Sequence, residues 1–139
     1  MASFNKFNAF VEDVAEKVHN LGSDTLKVML TNSAPSASNA VKADITEISA
    51  GNGYSAGGAT VTVTASSQTS GTYKLVGNDV VFTASGGSIG PFRYVVLYNS
   101  TPASGNLIGY YDYGTSITLN SGETFTVDFD GTNGILQLA

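Results

Sequence analysis

Apolar side chains at the start of the chain recur every three or four residues, as they do on one face of an amphipathic helix. The charged residues fall largely on the other side, Ser3 is a suitable N-cap, and Gly22 allows the left-handed conformation that ends many helices. The spacing therefore predicts a helix over residues 4–20. Its apolar stripe consists of Phe4, Phe7, Phe10 or Val11, Val14, Val18 and Leu21.

The spacing then changes to the two-residue period of β-strands. Residues 24–31 alternate in this way and predict a first strand, and similar segments separated by turn residues fill residues 59–139. The segment 92–99 is apolar on both faces, which is typical of a central strand. Asn78 and Asp79 separate two such runs and predict a β-hairpin. The pattern as a whole predicts a mainly β protein, an antiparallel β-sandwich or jelly roll of about eight strands behind one N-terminal helix.

A long polar connection lies between these regions, at residues 32–58. A loop of this length in a small protein is usually functional, so we expect an arm that grips a neighbouring subunit. One helical turn is predicted between residues 40 and 48, and several glycines from Gly51 onward mark turns. The chain has 139 residues, near the commonest domain size, and a single domain over residues 1–139 is expected.

Composition favours a surface that packs against other proteins. Only 12% of the residues are charged, which is about half the usual share. Gly, Ser, Thr, Asn and Ala fill the polar positions, and such a surface loses little free energy when a neighbour desolvates it. A free β-domain with a threonine-rich surface would show the same composition.

Several classes of partner and cofactor are not expected. The net charge of −5, with six scattered basic residues, argues against nucleic acid. No apolar run approaches the roughly 18 residues that span a bilayer, and the first residues lack the features of a signal peptide. We therefore expect no membrane partner and synthesis in a cytoplasm. The chain has no cysteine, which excludes disulfides and thiolate metal sites.

Two short motifs match catalytic or cofactor-binding patterns without the flanking structure that those patterns need. Residues 86–90 fit the nucleophile elbow G-x-S-x-G, yet Pro91 and a strand follow them, and the only histidine, His19, lies far upstream. Residues 51–56 fit a dinucleotide fingerprint, but a β-run follows instead of a helix. We therefore interpret them as a glycine-rich hairpin loop and a turn. We expect no enzymatic activity, catalytic residues or cofactor, although a glycosidase that uses carboxylates alone stays open.

Two further features carry weak hints of metal binding. Asp128 and Asp130 share one face of a predicted strand, but the spacing around them fails the EF-hand pattern. A solvated strand edge is the expected role, with a weak surface cation as the alternative. His19 has no second histidine or cysteine to complete a ligand set, so we assign it a structural or interfacial role and predict no metal site.

Aromatic residues suggest where a partner would pack. Tyrosines such as Tyr94, Tyr98 and Tyr113 stack on sugars or bases in some proteins, but without tryptophan or basic companions they favour a core or a protein interface. The helix is expected either to cap its own sheets or to reach a neighbour, since an apolar stripe does not decide between the two. The candidate protein-interface residues are Phe4, Phe7, Phe10, Val14, Tyr54, Tyr110 and Tyr111.

Three stretches, residues 3–35, 49–64 and 107–139, together resemble a family of small virion proteins of tailed bacteriophages. The resemblance covers nearly the whole chain, and the architecture also resembles head decoration (cement) proteins with jelly-roll folds. It implies a capsid decoration protein on the phage head surface, made in the host bacterial cytoplasm. The implied partners are the major capsid protein, or another virion protein, and a homo-oligomer of the chain itself. The alternative is a tail or head-fibre component that binds a receptor or glycan through residues 107–113.

Overall fold

The computed structural model describes residues 2–139 and is mainly β, with 46% of residues in strands and 8% in helices. One α-helix, α1 (Asn8–Ala15), and a single 3₁₀ turn (Lys42–Asp44) accompany ten strands in this part of the chain. The strands are β1 (Phe4–Lys6), β2 (Leu26–Thr31), β3 (Ala59–Thr60), β4 (Val63–Thr69), β5 (Thr72–Gly77), β6 (Val80–Thr83), β7 (Ile89–Asn99), β8 (Leu107–Leu119), β9 (Thr124–Val127) and β10 (Leu136–Leu138). The count exceeds the predicted eight, since residues 4–6 form a strand where a helix was predicted, and three of the ten strands have only two or three residues.

The strands form three antiparallel sheets. A five-stranded sheet has the order β1-β8-β7-β2-β3, a three-stranded sheet has the order β10-β5-β4, and β6 pairs with β9. The antiparallel, mainly β class and the single helix agree with the prediction. β7 lies at the centre of the large sheet between β8 and β2, as its two apolar faces predicted.

Apolar residues on the two faces of the large sheet enter two different clusters. Val28 and Val95 belong to a core cluster that also contains Leu75 of the three-stranded sheet and Phe82 of β6. Their neighbours along the strands point the other way, because successive side chains in a strand alternate between faces. These neighbours join the second cluster, which consists of Phe7, Met29, Val96, Tyr98 and Leu107.

The N-terminal helix is shorter than the predicted range of residues 4–20. Residues 4–6 form β1 and pair with the edge of β8, where backbone groups would otherwise lack partners. Helix α1 begins only after Phe7, whose side chain gives no cap, and the chain leaves it at Lys17, which has a φ of 67°. The apolar spacing was real, but a sheet edge competes with the helix for the first residues.

The hairpin predicted at Asn78 and Asp79 is wrong. The carboxylate of Asp79 accepts a hydrogen bond from the backbone N–H of Phe129 (2.9 Å), and the chain crosses here from one sheet to another. A tight hairpin occurs instead just before β5. It joins β4 to β5 through Ser70 and Gly71, whose φ angles of 51° and 84° suit a two-residue turn. Residues 84–88 likewise connect β6 to β7, which belong to different sheets, and residues 89–90 already lie in β7, so the hairpin loop predicted at residues 86–90 is absent.

The long connection at residues 32–58 contains no strand of the three sheets, as predicted, but it is not a free arm. The N–H of Ile48 donates to the carbonyl of Leu30, so the loop lies against the edge of β2 beyond the end of β3. At its end, Gly58 has a φ of 80°, and a Cβ there would lie 1.8 Å from the carbonyl oxygen of Val28. Only glycine allows so close an approach to the sheet.

Candidate interaction surface

Four of the seven candidate interface residues are buried within the chain itself. Phe7, Phe10, Tyr54 and Tyr111 expose 0%, 2%, 2% and 6% of their surface. Their side chains already contact the sheets of their own chain, so they offer little surface to a partner in this fold. The remaining three, Phe4, Val14 and Tyr110, are half-buried against the same clusters.

The N-terminal segment packs on its own sheets. The ring of Phe4 contacts Tyr111 edge-on at 5.6 Å between centroids, and Phe7 lies 5.3 Å from Tyr110. Of the two roles left open for the helix, the structure shows the first, in which it covers a part of its own core. No feature of the stripe itself could have decided this, since both roles bury the same residues.

Tyr54 fixes the long loop to the large sheet. Its hydroxyl donates to Oε2 of Glu47 (2.6 Å) and accepts from the backbone N–H of Leu30 (3.0 Å). The N–H of Gly57 donates to the same carboxylate oxygen (2.7 Å). Burial, together with the bond to Glu47, raises the pKa of Tyr54 far above its ordinary value. The loop is therefore held by buried polar contacts that face inward.

The tyrosines of β8 divide between the core and the surface. Tyr111 is buried, and desolvation raises its pKa strongly. Tyr113 is half-buried against the core cluster, and burial also raises its pKa. A recognition platform at residues 107–113 would therefore lack Tyr111 and depend on Tyr110 and Tyr113.

Of the acidic pair Asp128 and Asp130, Asp130 stabilises the turn that follows it. Asp130 accepts bonds from the backbone N–H groups of Thr132 and Asn133, each at 2.8 Å, and from the Asn133 amide. These bonds lower the pKa of Asp130. Asp128 is exposed, and residues 2–139 contain no cluster of three or more acidic, histidine or cysteine side chains that could hold a metal.

His19 is the centre of a buried polar network beyond the helix. Its Nδ1 lies 3.1 Å from the amide nitrogen of Asn99, which also donates to Asp24 (2.6 Å). Nε2 is buried without a hydrogen-bond partner and lies 3.9 Å from Oδ2 of Asp13. Burial lowers the pKa of His19, against a smaller opposing effect of the two aspartates. Both ring nitrogens face groups of the chain itself, so neither is directed at a nucleophile.

Beside this network lies a cavity of about 710 Å³ with mostly apolar walls. The end of α1 and the residues that follow it, up to Asp24, line one side of the cavity. One residue from each strand of the three-stranded sheet, Ser66, Tyr73 and Leu138, lines another side. The lining of the cavity combines apolar side chains, such as Val14, Val18, Leu21 and Leu138, with polar or charged ones, such as Lys17, His19, Asp24, Ser66 and Tyr73. Leu138 is also one of three large apolar side chains that stand exposed within residues 2–139. Of the candidate interface residues, only Val14 lines this cavity.

Strand β4 borders the cavity and is exposed along almost its whole length. Val63 is half-buried, and the six residues that follow it are exposed. The strand contains no charged residue and no proline, and it pairs with β5 on one side only. The sequence pattern did not mark it as a surface for a partner, because the residues after Val63 lack large apolar side chains at alternate positions. The lack of apolar residues is itself the signal of an exposed strand, since a strand with two polar faces does not cover a core.

None of the helices within residues 2–139 has the length and apolar character needed to cross a membrane. No protein-family model, curated protein or solved structure matches the chain.

Proposed function

We propose that the chain is a structural protein of a phage virion, a capsid decoration protein that binds the major capsid protein on the head surface and stabilises the shell. The observation that carries this proposal is the open apolar cavity beside an uncharged, exposed strand. Such a surface loses little free energy of hydration when a protein neighbour covers it, whereas water contact with its apolar wall is unfavourable. The sequence resemblance to small virion proteins supplies the identity of the neighbour.

The finer architecture is part of the same proposal. We infer that the three sheets stack as a β-sandwich, because one core cluster receives side chains from all of them, such as Val95, Leu75 and Val127. A body of this kind is rigid, which suits a protein that works by bracing its neighbours. Assembly of the chain as a homo-oligomer on the shell is also proposed.

The polar networks support a role without catalysis. The imidazole of His19 is enclosed by Asn99 and Asp13, and the carboxylate of Glu47 is bound by Tyr54 and Gly57. The contacts of both groups are made to other parts of the chain, and the Glu47 contacts hold the long loop in place.

The test compares purified phage shells with and without the chain. We expect shells that lack it to rupture at a lower temperature and under milder osmotic shock, and we expect added chain to restore their resistance. Equal robustness of both shells would contradict the proposal. Copy number provides a second measurement: hundreds of copies per virion are expected of a decoration protein, whereas a handful would indicate a tail or fibre component.

A further inference from the structure

We propose that an extended segment of a partner protein adds to the open edge of β4 as an antiparallel strand and places every second side chain in the cavity beside it. The inference rests on the proposed function for the nature of the partner, a neighbouring protein subunit, and adds where and how that subunit binds. The supporting observation is that the unpaired edge of β4 lies next to a mostly apolar cavity.

The hairpin register decides which backbone groups are free. Thr69 and Thr72 flank the two-residue turn and form a hydrogen-bonded pair, so the pairs of Gln68 with Tyr73 and Ser66 with Leu75 are of the non-bonded kind. The N–H and carbonyl groups of Ser66 and Gln68 therefore point away from β5, toward the open edge. Within residues 2–139, no backbone hydrogen bond from another segment reaches them.

The same register decides where a partner's side chains would go. A residue that exchanges hydrogen bonds with Ser66 or Gln68 lies directly opposite it, and opposite residues share a face. That face is the one on which Leu75 is buried and Ser66 borders the cavity. Alternate residues of an added strand would thus be directed toward the cavity, while the others would lie on the outer face with Ser67 and Lys74. Backbone bonds and side-chain pockets are combined in this way in β-strand addition.

The edge also lacks the devices that keep strand edges unpaired. Exposed edges in natural proteins usually carry charges or proline, or are very short. β1, β3 and β10 are short, but β4 has seven residues and neither charge nor proline. Its one irregularity is the register shift between Val63 and Ala65, which lies at the end far from the turn. The part of the edge that borders the cavity is regular.

The occupant that fits is a segment of a different protein with apolar residues at alternate positions. A second copy of β4 paired in the same way would present only Ser66, Gln68 and Thr64 to the cavity face. These small or polar side chains would leave the apolar wall formed by Val14, Leu21 and Leu138 uncovered. The alternate positions of the partner segment should be mainly apolar, because most of the cavity wall is apolar and only Lys17 and Asp24 bring ordinary charges to its lining.

The test uses the isolated chain and two blocked peptides, one with the repeat TVTITVT and one with the repeat TSTSTST, each flanked by lysines for solubility. We expect the apolar peptide to bind saturably at concentrations up to about 1 mM and to bind about tenfold more tightly than the polar one. Hydrogen exchange followed by NMR should show slower exchange of the Ser66 and Gln68 amides in the complex. Comparable binding of both peptides, or no saturable binding, would overturn the inference.

Two pairs of variants separate the edge from the cavity. Gln68→Pro and Gln68→Ala both lose the side chain that accepts from Gly71, but only the proline removes the outward N–H. We expect about tenfold weaker peptide binding for Gln68→Pro than for Gln68→Ala. Ser66→Lys places a charge on the cavity face and should weaken binding, whereas Ser67→Lys, on the opposite face, should not. This second pair keeps the test valid if Gln68→Pro fails to fold.

The outcomes distinguish the inference from the proposed function. If the peptides do not bind but the chain still stabilises shells, the inference fails and the packing role stands. If the peptides bind as described but shells are unaffected by the chain, the edge is a strand-binding site and the capsid role fails. Self-association of the chain that Gln68→Pro abolishes would show that a second copy occupies the edge, which would overturn the proposal of a different partner.

Discussion

Tyr54 illustrates how much one side chain holds in place. It is 2% exposed, its ring packs 5.7 Å from that of Phe82, and its hydroxyl links Glu47 to the N–H of Leu30. A buried N–H or carboxylate that loses its partner costs the free energy of its desolvation, about 1–3 kcal/mol. The Tyr54 hydroxyl is therefore one of the buried groups that dock the long loop on β2, beside the bond from the Ile48 N–H to the carbonyl of Leu30.

We predict that Tyr54→Phe lowers the free energy of unfolding by about 1–3 kcal/mol, because it keeps the ring but leaves the buried Leu30 N–H without a partner and removes one of the two hydrogen bonds to Oε2 of Glu47. Urea unfolding followed by circular dichroism measures this. Tyr73→Phe is the matched control, since its hydroxyl bonds only to Ser66 at an exposed site. A loss for Tyr54→Phe no larger than that of the control would show that the hydroxyl does not anchor the loop.

His19 makes stability depend on pH. Burial lowers its pKa in the folded chain below the value of about 6.5 expected when unfolded, so the folded state binds fewer protons. Stability from this residue is therefore fully present above that pH and declines as the pH falls through the folded pKa. The carboxylates that face the ring are Asp13 and Asp24, whose charges oppose the shift without reversing it.

We predict that the unmodified chain loses more unfolding free energy between pH 7.5 and pH 5.0 than His19→Gln does, since the glutamine does not titrate. Urea unfolding at both values measures the difference between the two proteins, so that the carboxylates common to both cancel. An identical pH dependence of the two would contradict the assignment of a buried, neutral imidazole.

At the scale of the elements, the end of the long loop lies in very close contact with β2. At Gly58 a Cβ would overlap the carbonyl oxygen of Val28, and the φ of 80° is one that other residues avoid. Gly51, at the other end of the same turn region, also has a positive φ (126°), but a Cβ there meets nothing within 4 Å. Substitution of Gly51 would therefore cause backbone strain alone, whereas substitution of Gly58 would cause backbone strain and steric overlap.

We predict that Gly51→Ala costs about 1–2 kcal/mol of unfolding free energy through backbone strain alone. Gly58→Ala should cost more than about 4 kcal/mol or prevent folding, because the loop and β2 must move apart. Thermal or urea unfolding of both variants is the measurement. Similar losses for the two would mean that the loop end does not press on the sheet as described.

The sequence predicted elements well where side-chain spacing has one explanation. Residues 24–31 alternate and contain β2, and the segment 92–99 is apolar on both faces and lies within the central strand β7. The sequence-based prediction was wrong where pairing between strands far apart in the sequence determines the secondary structure. The residues of β1 join a sheet edge about a hundred residues away in sequence, and Asn78 looks like a hairpin turn although β6 pairs with β9.

The candidate site was predicted less well than the fold, for a related reason. Large apolar and aromatic residues such as Phe10 and Tyr111 suit an interface and a core equally, and here the core buries them. The surface that we propose for a partner consists of the Ser, Thr and Gln residues of β4 and the cavity rim around Leu138. These residues attract little notice in a sequence, since their importance comes from an edge and a cavity that exist only after folding.

At the scale of the whole molecule, the scarcity of charge should determine how association responds to salt. Charged residues make up 12% of the chain, β4 carries none, and the mostly apolar cavity has only Lys17 and Asp24 as ordinary charged residues in its lining. Attraction between surface charges is screened as ionic strength rises, whereas burial of apolar surface is not weakened in this way. With a net charge of −5, any long-range contribution toward an acidic shell would be repulsive and would also be screened.

We therefore predict that binding of the chain to purified shells stays constant or becomes somewhat tighter between about 50 mM and 500 mM NaCl, because the Debye length falls from roughly 14 Å to 4 Å over this range while the apolar contact is retained. Co-sedimentation of chain and shells at each salt concentration measures this, with shells alone as the control for their integrity. A steep loss of binding with salt would indicate that the shell holds the chain through its few charged groups, such as the exposed pair Arg93 and Asp112, and would move the interface away from β4.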